Sequence, residues 1–513
     1  MHVIGDIVRL NAKRFASKDA LIFDDRRISH GELNAEVNRC AHGLLSSGVE
    51  PGDRVAMLTL NCLECVVINY AAAKCGAIVV PINFRYRKDE LVYVVNDTGP
   101  KVLLFGAEAR DLVADARTDF DAAIDLIAIS REPLDPGRSL SELISRQADS
   151  EPDVEVAPDA PFTITYTSGT TGKPKGVLAS HQAYLDIYQG MAVEGDVEPG
   201  EVTLVALPLF HTAGMHALVG PTLLRGGTAV ILGAGFDPDQ VLEAVSRHGV
   251  TLTMWVPTML AMLVNHPGVA NYDIAQLDKI WYGSSPITPT LLKASQDLFG
   301  ARFYQWYGQT ETGMVSVLRP EDHHEQSQCT GREMFNAELR VVDEQGRDTP
   351  VGEVGEIISA QRSLGMIGYH NQPQATADTV RGGWIHTGDL ARVEEGGLFT
   401  IVDRLRDMII SGAENIYPKE VEDAIAAHPA VLEVAVFGIP DEVYGESVSA
   451  AVALKQGASA SADDIVAHCA ERLARYKKPK QVEFHAELPK NAMGKVTKNV
   501  LREPHWAGRD KKI

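Results

Sequence analysis

The feature that most limits how this chain can fold is an alternation of short apolar runs with helix-spaced runs. Within 31–48, Leu33, Val37, Ala41 and Leu44 recur at three-to-four spacing, and Gly48 can close a helix. A strand-like run at 54–60 follows, then an apolar helix at 62–74 stopped by Gly76, a buried strand at 77–82, a helix at 88–96 and a strand at 101–105. The pattern resumes after a polar connection at 148–160, with strands expected at 202–207, 228–232, 251–256, 279–283 and 302–306 and helices at 238–248 and 288–299. Strand and helix in turn, with few hairpin signals, imply parallel sheets covered on both faces.

From about Gly331 the texture becomes short β-like runs between glycine-rich turns, and past Arg404 it changes again to mixed helices and strands. A chain of 513 residues exceeds one hydrophobic core. The expected class is α/β: a large N-terminal domain of doubly wound sheets with a small β-subdomain (1–403), and a small α+β C-terminal domain (404–513).

The net charge of −21 argues against nucleic acid or an anionic membrane as the main partner, while leaving room for a local basic pocket. No apolar run is long enough to cross a bilayer, and no basic region followed by an apolar one opens the chain. Among the six cysteines, Cys62 and Cys65 form a lone C-x-x-C without a second ligand pair, read as reduced core thiols of a cytoplasmic protein.

Five clusters carry chemistry. The densest is 166–176, Tyr-Thr-Ser-Gly-Thr-Thr-Gly-Lys-Pro-Lys-Gly, expected between a strand and a helix starting near His181. Its glycines let backbone N–H groups converge on an anion, and its hydroxyls and lysines add donors, although the spacing is not that of a Walker A loop. The other reading is a flexible polar loop. The second cluster, Tyr307-Gly308-Gln309-Thr310-Glu311, ends a strand, where open α/β sheets place ligands. The third, Trp384 to Leu390 around Thr387-Gly388-Asp389, offers a carboxylate to two sugar hydroxyls or is a turn capping a hairpin. The fourth starts at Asp403-Arg404, at the texture change, and the fifth is the Gly494-Lys495 turn.

In this order the clusters resemble the motifs of the adenylate-forming acyl-CoA synthetase superfamily, over nearly the whole chain and closest to the fatty-acyl and aryl-CoA ligases. That resemblance implies an ATP-dependent acid–CoA ligase working with Mg²⁺, in which a carboxylic acid is first joined to AMP and then transferred to coenzyme A. By position, Thr167, Ser168, Gly169, Thr170, Thr171 and Lys175 would hold the β- and γ-phosphates, Tyr307 would stack on adenine, and Ser284 and Gly308 would border the nucleotide. Thr310 would touch the α-phosphate, Glu311 would bind Mg²⁺, Asp389 and Arg404 would hold the ribose, and Lys495 would bridge the carboxylate and the α-phosphate.

Arg406 falls at the family's pivot, where Lys or Asp is more usual. Gly412, Ala413 and Glu414 would shape the pantetheine tunnel, and Lys477 in Tyr476-Lys477-Lys478 would meet phosphates of coenzyme A or is a solvated basic turn. The acyl pocket would be walled by Phe210, His211, Trp255, Tyr282, Gly283 and Met314, with His211 either bordering the carboxylate or structural. Small and apolar walls without an Arg or Lys disfavour dicarboxylates and suit a medium or long fatty acid, or an aryl or arylpropenoic acid. A ligase that loads a carrier protein and a non-catalytic nucleotide-binding scaffold are the alternatives, and a homodimer is left open.

Overall fold

The computed structural model describes residues 1–167, 174–233, 235–285, 287–323, 329–411, 414–491 and 494–507. Two large sheets organise the first four hundred residues. One has nine strands in the order Arg332–Glu333, Gly313–Leu318, Arg302–Gln309, Lys279–Gly283, Leu252–Trp255, Val202–Val205, Thr228–Ile231, Asp19–Phe23 and Arg26–Ser29. Its central pairings are parallel and its edges antiparallel. The other has eight strands, running from Gly368–Tyr369 through Lys175–Ser180, Pro161–Thr167, Ile78–Pro81, Arg54–Leu58, Val102–Phe105 and Asp125–Ala128 to Arg138–Ser139.

One hydrophobic core joins the facing sides of both sheets, taking in Val55 and Val79 from one and Met254, Trp281 and Trp306 from the other. The helix Leu63–Cys75 is buried on every side within that layer, which explains why its sequence is apolar all round. Gly76 closes it with a φ of 66°.

Two expectations change here. The glycine-rich loop does not lead from a strand into a helix. It joins two antiparallel strands, Pro161–Thr167 and Lys175–Ser180, and the helix His181–Glu194 begins only after the second. The N-terminus of that helix therefore lies one strand beyond the loop. Thr387-Gly388-Asp389 is also no turn at the end of a hairpin, for it lies inside the ten-residue strand Trp384–Val393.

That strand belongs to a third sheet, with Leu339–Val342, Gly355–Ala360, Val380–Arg381 and Phe399–Arg404. The last strand carries Arg404, so a boundary at 403/404 would cut one residue before its end. Beyond the segment 405–407 comes a fourth sheet, Glu414–Ile416, Ile409–Ser411, Gly445–Leu454 and Val431–Asp441, with Gln481–His485 pairing on Gly445–Leu454. Helices Pro418–Ala426 and Ala462–Ala470 close a core of its own around Val421, Ile425, Val436, Val448 and Ile465. Among the described residues, no helix is long and apolar enough to cross a membrane.

Candidate active site

The site starts from a bulge. Along Trp384–Val393, His386 stands opposite Ile358 and Leu390 opposite Glu356, so Thr387, Gly388 and Asp389 share the space facing Ile357 alone. Gly388 takes up the excess at a φ of 68°, a conformation costly to residues with a Cβ. Thr387 anchors the bulge by donating to the Ile357 carbonyl at 2.6 Å and accepting from the Asp389 N–H at 3.0 Å.

Asp389 is thereby buried with its carboxylate fixed. Its Oδ2 accepts from the Tyr307 hydroxyl at 2.9 Å and from Gln309 Nε2 at 2.8 Å, and its Oδ1 lies 3.2 Å from Arg404 Nε. The pairing with Arg404 follows from register, since the two residues face each other across adjacent antiparallel strands. Tyr307 and Gln309 sit two apart on Arg302–Gln309, hence on one face, and both reach Asp389. Burial first, then the Asp389 charge, push the Tyr307 phenol well above its ordinary range.

These residues line a cavity of about 1830 Å³ together with Gly283, Ser284, Gly308, Arg406 and Lys495. Ser284 holds a φ of 65° there, backbone strain of the kind that collects at functional sites. Gly283 and Gly308 border this space, but packing of the backbone also requires them to be glycine. A Cβ on Gly283 would collide with the Trp306 carbonyl, and one on Gly308 with the Gly313 carbonyl.

A second group lies around the turn after that strand. Thr310 and Glu311 occupy the turn between Arg302–Gln309 and Gly313–Leu318, both half-buried. Glu311 Oε1 accepts from the Tyr369 hydroxyl at 2.9 Å, and the Lys175 ammonium lies 4.9 Å over the centre of the Tyr369 ring. Tyr369 thus links the lysine that ends the glycine-rich loop to the carboxylate assigned to metal. Thr167 closes the preceding strand beside Lys175, whereas Ser168, Gly169, Thr170 and Thr171 lie outside the described residues.

Lys495 comes from the far side of the cavity. Its backbone N–H donates to Asn491 Oδ1 at 3.0 Å, and its carbonyl accepts from the Asn491 N–H at 2.9 Å, so a short turn presents it. Burial pushes its amine down to about 8, and the nearby Arg404 and Arg406 push the same way against the pull of Asp389 and Asp407. Arg406 stands in the crossing segment, 3.8 Å from Asp407.

The residues assigned to the acyl pocket do not gather into one wall. Phe210 meets Phe84 edge-on at 5.5 Å, and the loop is clipped by Asn61, whose Oδ1 accepts from the Leu209 N–H at 2.8 Å. His211 Nδ1 accepts from the Ala213 N–H at 3.2 Å, which leaves the ring proton on Nε2, and enclosure pushes its pKa down to about 4. The loop runs into the π-helix Ala213–Val219, where His216 lies 4.0 Å from the Tyr184 ring and 2.6 Å from the Tyr188 hydroxyl. Met314 packs against the main core.

Trp255 is not a pocket wall. It points to the other face of its sheet, fully buried against Phe299 among the residues under the helices Pro238–His248 and Pro257–Val264. Tyr282 shares that core and the cavity edge, and its hydroxyl bonds Gln305 and meets His323, each at 3.0 Å.

Among the coenzyme A candidates, Glu414 opens the strand Glu414–Ile416 and is exposed, while Gly412 and Ala413 lie outside the described residues. Lys477 is held by both carboxylate oxygens of Glu420, at 2.7 and 2.6 Å. It is a paired cation in this orientation rather than a solvated one.

Reasoning from sequence placed Gln309 in the second cluster without a role, and missed Tyr369, Asn61 and Phe84. The role of Gln309 could have been found from its two-residue spacing to Tyr307. Tyr369 gives no such signal, since only the pairing of Gly368–Tyr369 on Lys175–Ser180 brings it here.

Residues 8–370 match the model of the AMP-binding enzyme family, and residues 420–495 match that of the AMP-binding enzyme C-terminal domain. The chain is 39% identical over 476 residues to a feruloyl-CoA synthase from an Amycolatopsis species, covering 93% of each. It is 35% identical over 490 residues to a long-chain-fatty-acid–CoA ligase from Mycobacterium tuberculosis, covering 94% of each. An anthranilate CoA ligase in complex with anthranoyl-AMP superposes with a TM-score of 0.91 at 27% identity, covering 98% of this chain and 97% of that one. The chain belongs to the AMP-binding enzyme family. Within it, it is an AMP-forming acid–CoA ligase that binds ATP.

Proposed function

We propose that this chain converts an aryl or arylpropenoic monocarboxylic acid into its coenzyme A thioester in two steps at one cavity, with Lys495 serving only the first. The observation that carries this is the meeting of Tyr307, Asp389 and Arg404 from one side with Lys495 from the other. In the first step a carboxylate oxygen bonds to the α-phosphorus of ATP, the bond to the bridging oxygen breaks, and pyrophosphate leaves. In the second the coenzyme A sulfur bonds to the acyl carbon, its proton is released, and the bond to AMP breaks.

The first step joins two anions, so its main obstacle is electrostatic. The Lys495 ammonium, enclosed and still charged below about pH 8, would neutralise both reacting groups. Asp389, oriented by Tyr307 and Gln309, would hold the ribose hydroxyls with Arg404, fixing the α-phosphorus for in-line attack. Neutral His211 would donate from Nε2 to the carboxylate, while Lys175 and Thr310 would steady the phosphates. Glu311 fits a single-carboxylate Mg²⁺ site: no cluster of three ligating side chains exists among the described residues, and Mg²⁺ commonly binds one or two carboxylates plus substrate phosphates. There the ion would offset phosphate charge. For coenzyme A to attack, Lys495 would withdraw by rotation about Arg406, and residues 412–414 would take its place.

The aromatic acid is favoured by the relatives named for ferulate and anthranilate. A long-chain acid is the second reading, on the M. tuberculosis relative. We place the enzyme in the cytoplasm. The test is AMP release across aromatic, arylpropenoic and fatty acids, with and without coenzyme A. Turnover confined to fatty acids would remove the first reading. Turnover only with a carrier protein would remove the assignment to coenzyme A.

A further inference from the structure

The helix Pro418–Ala426, first beyond the crossing segment, begins without a cap of its own. Tyr417 at its N-cap position makes no side-chain hydrogen bond to the helix, and Pro418 has no N–H. The N–H of Lys419 is nevertheless satisfied: it donates at 2.8 Å to Oδ2 of Asp403. Asp403 lies on the other side of the crossing, in Phe399–Arg404, directly opposite Leu390 on the strand that carries Asp389. It is buried, and its Oδ1 accepts from the Arg404 N–H at 2.7 Å. Burial pushes its carboxyl up to about 6, opposed most by the charge of Lys498. Lys498 Nζ is in turn held 2.7 Å from Glu422 on the capped helix. Lys498 follows Lys495 by one helical turn's worth of sequence and begins the helix Lys498–Trp506.

We propose that Asp403 is a positioning residue for the first half-reaction. Capping Pro418–Ala426 from across the crossing segment, and facing Lys498, it seats the C-terminal part in the orientation that brings Lys495 to the nucleotide cavity. This rests on the two-step reading above. Rotation about 405–407 would part Asp403 from the Lys419 N–H and from Lys498, whereas the Lys498–Glu422 pair lies wholly beyond the crossing and travels intact. The Asp403 contacts therefore count in one orientation only. A cap that merely stabilised the fold would serve both half-reactions alike.

The test measures the two half-reactions separately in the full chain: acid-dependent pyrophosphate release without coenzyme A, and thioester formation from supplied acyl-AMP. Asp403→Ala is expected to slow the first about fivefold to tenfold, the scale of a lost helix cap. It should leave the second within about twofold of the unsubstituted enzyme. Asp403→Asn, which keeps an acceptor for the Lys419 N–H and loses the charge facing Lys498, should recover part of the loss and leave a smaller fall confined to the first half. Equal slowing of both halves, or no slowing of the first, overturns the proposal. If Asp403→Ala does not yield folded protein, Asp403→Asn decides by the same ratio: a selective fall in the first half supports the proposal, and an unchanged ratio overturns it. An unsubstituted enzyme releasing pyrophosphate with no acid would overturn the two-step reading itself, an outcome distinct from an active enzyme with an unselective variant.

Discussion

Asp389 and Lys495 face the same cavity and are held in opposite ways. Asp389 lies inside a strand, lifted by a bulge and fixed by Tyr307, Gln309 and Arg404. Lys495 sits on a turn secured through its backbone, and among the described residues no hydrogen bond or ion pair of its ammonium is recorded; what acts on that ammonium is burial and the charge of Arg404, Arg406, Asp389 and Asp407. The difference separates two demands on one site. Nucleotide must be gripped alike in both half-reactions, which suits a rigid sheet. On the proposed reaction, the group that joins carboxylate to phosphate would leave before a thiol arrives, which suits a side chain with little to break.

If this contrast is right, substitutions on the two sides fail differently. Lys495→Ala should have the largest effect, lowering acid-dependent pyrophosphate release by about a thousandfold, the scale of losing a preorganised charge-stabilising group. Asp389→Asn should act mainly on nucleotide affinity, raising the KM for ATP by roughly ten- to hundredfold, as for loss of a hydrogen bond to a charged group. Steady-state kinetics with ATP varied distinguishes the two, since a change confined to kcat would contradict the ribose role.

The sheet that carries the grip can be probed by stability. Gly308→Ala must push Gly313 away and should cost about 1–3 kcal/mol in denaturant unfolding. Gly388→Ala meets no atom within 4 Å and should cost only the left-handed backbone, about 1 kcal/mol. The reverse order would mean that the bulge, not the strand pairing, sets the stability of this region.

The smallest effect is a pH slope. The Lys495 amine carries its charge below about 8 and loses it as pH rises through that value. Adenylation kcat/KM should therefore fall above about pH 8, with thioester formation from acyl-AMP unchanged there. A parallel fall in both would place the titrating group elsewhere.

Much of the scaffold could be read from local pattern because its helices carry their own start and stop signals. Pro238–His248 has Asp237 at its N-cap and Gly249 past its end, and the 238–248 reading coincides with it. What local pattern could not supply is register. Nothing in the sequence places Asp389 opposite Arg404, or three residues against Ile357, since both depend on how strands slide past one another. The helix expected near His181 is present, and what the pattern missed is the strand before it: the run at 175–180 is too short to declare itself a strand until it pairs with 161–167. Trp255 was misplaced because an alternating strand offers two faces and the sequence does not say which one meets the ligand. Tyr307, Asp389, Arg404 and Lys495 were legible as separate motifs through family resemblance, and the fold brings them to one cavity.

The most direct test of the central claim gives Lys495→Ala both substrates in turn. Supplied with acid and ATP, it should form almost no acyl-AMP. Supplied with acyl-AMP and coenzyme A, it should form thioester at close to the rate of the unsubstituted enzyme. Comparable loss in both reactions would contradict the account, because Lys495 would then belong to the fixed grip and not to a group that comes and goes.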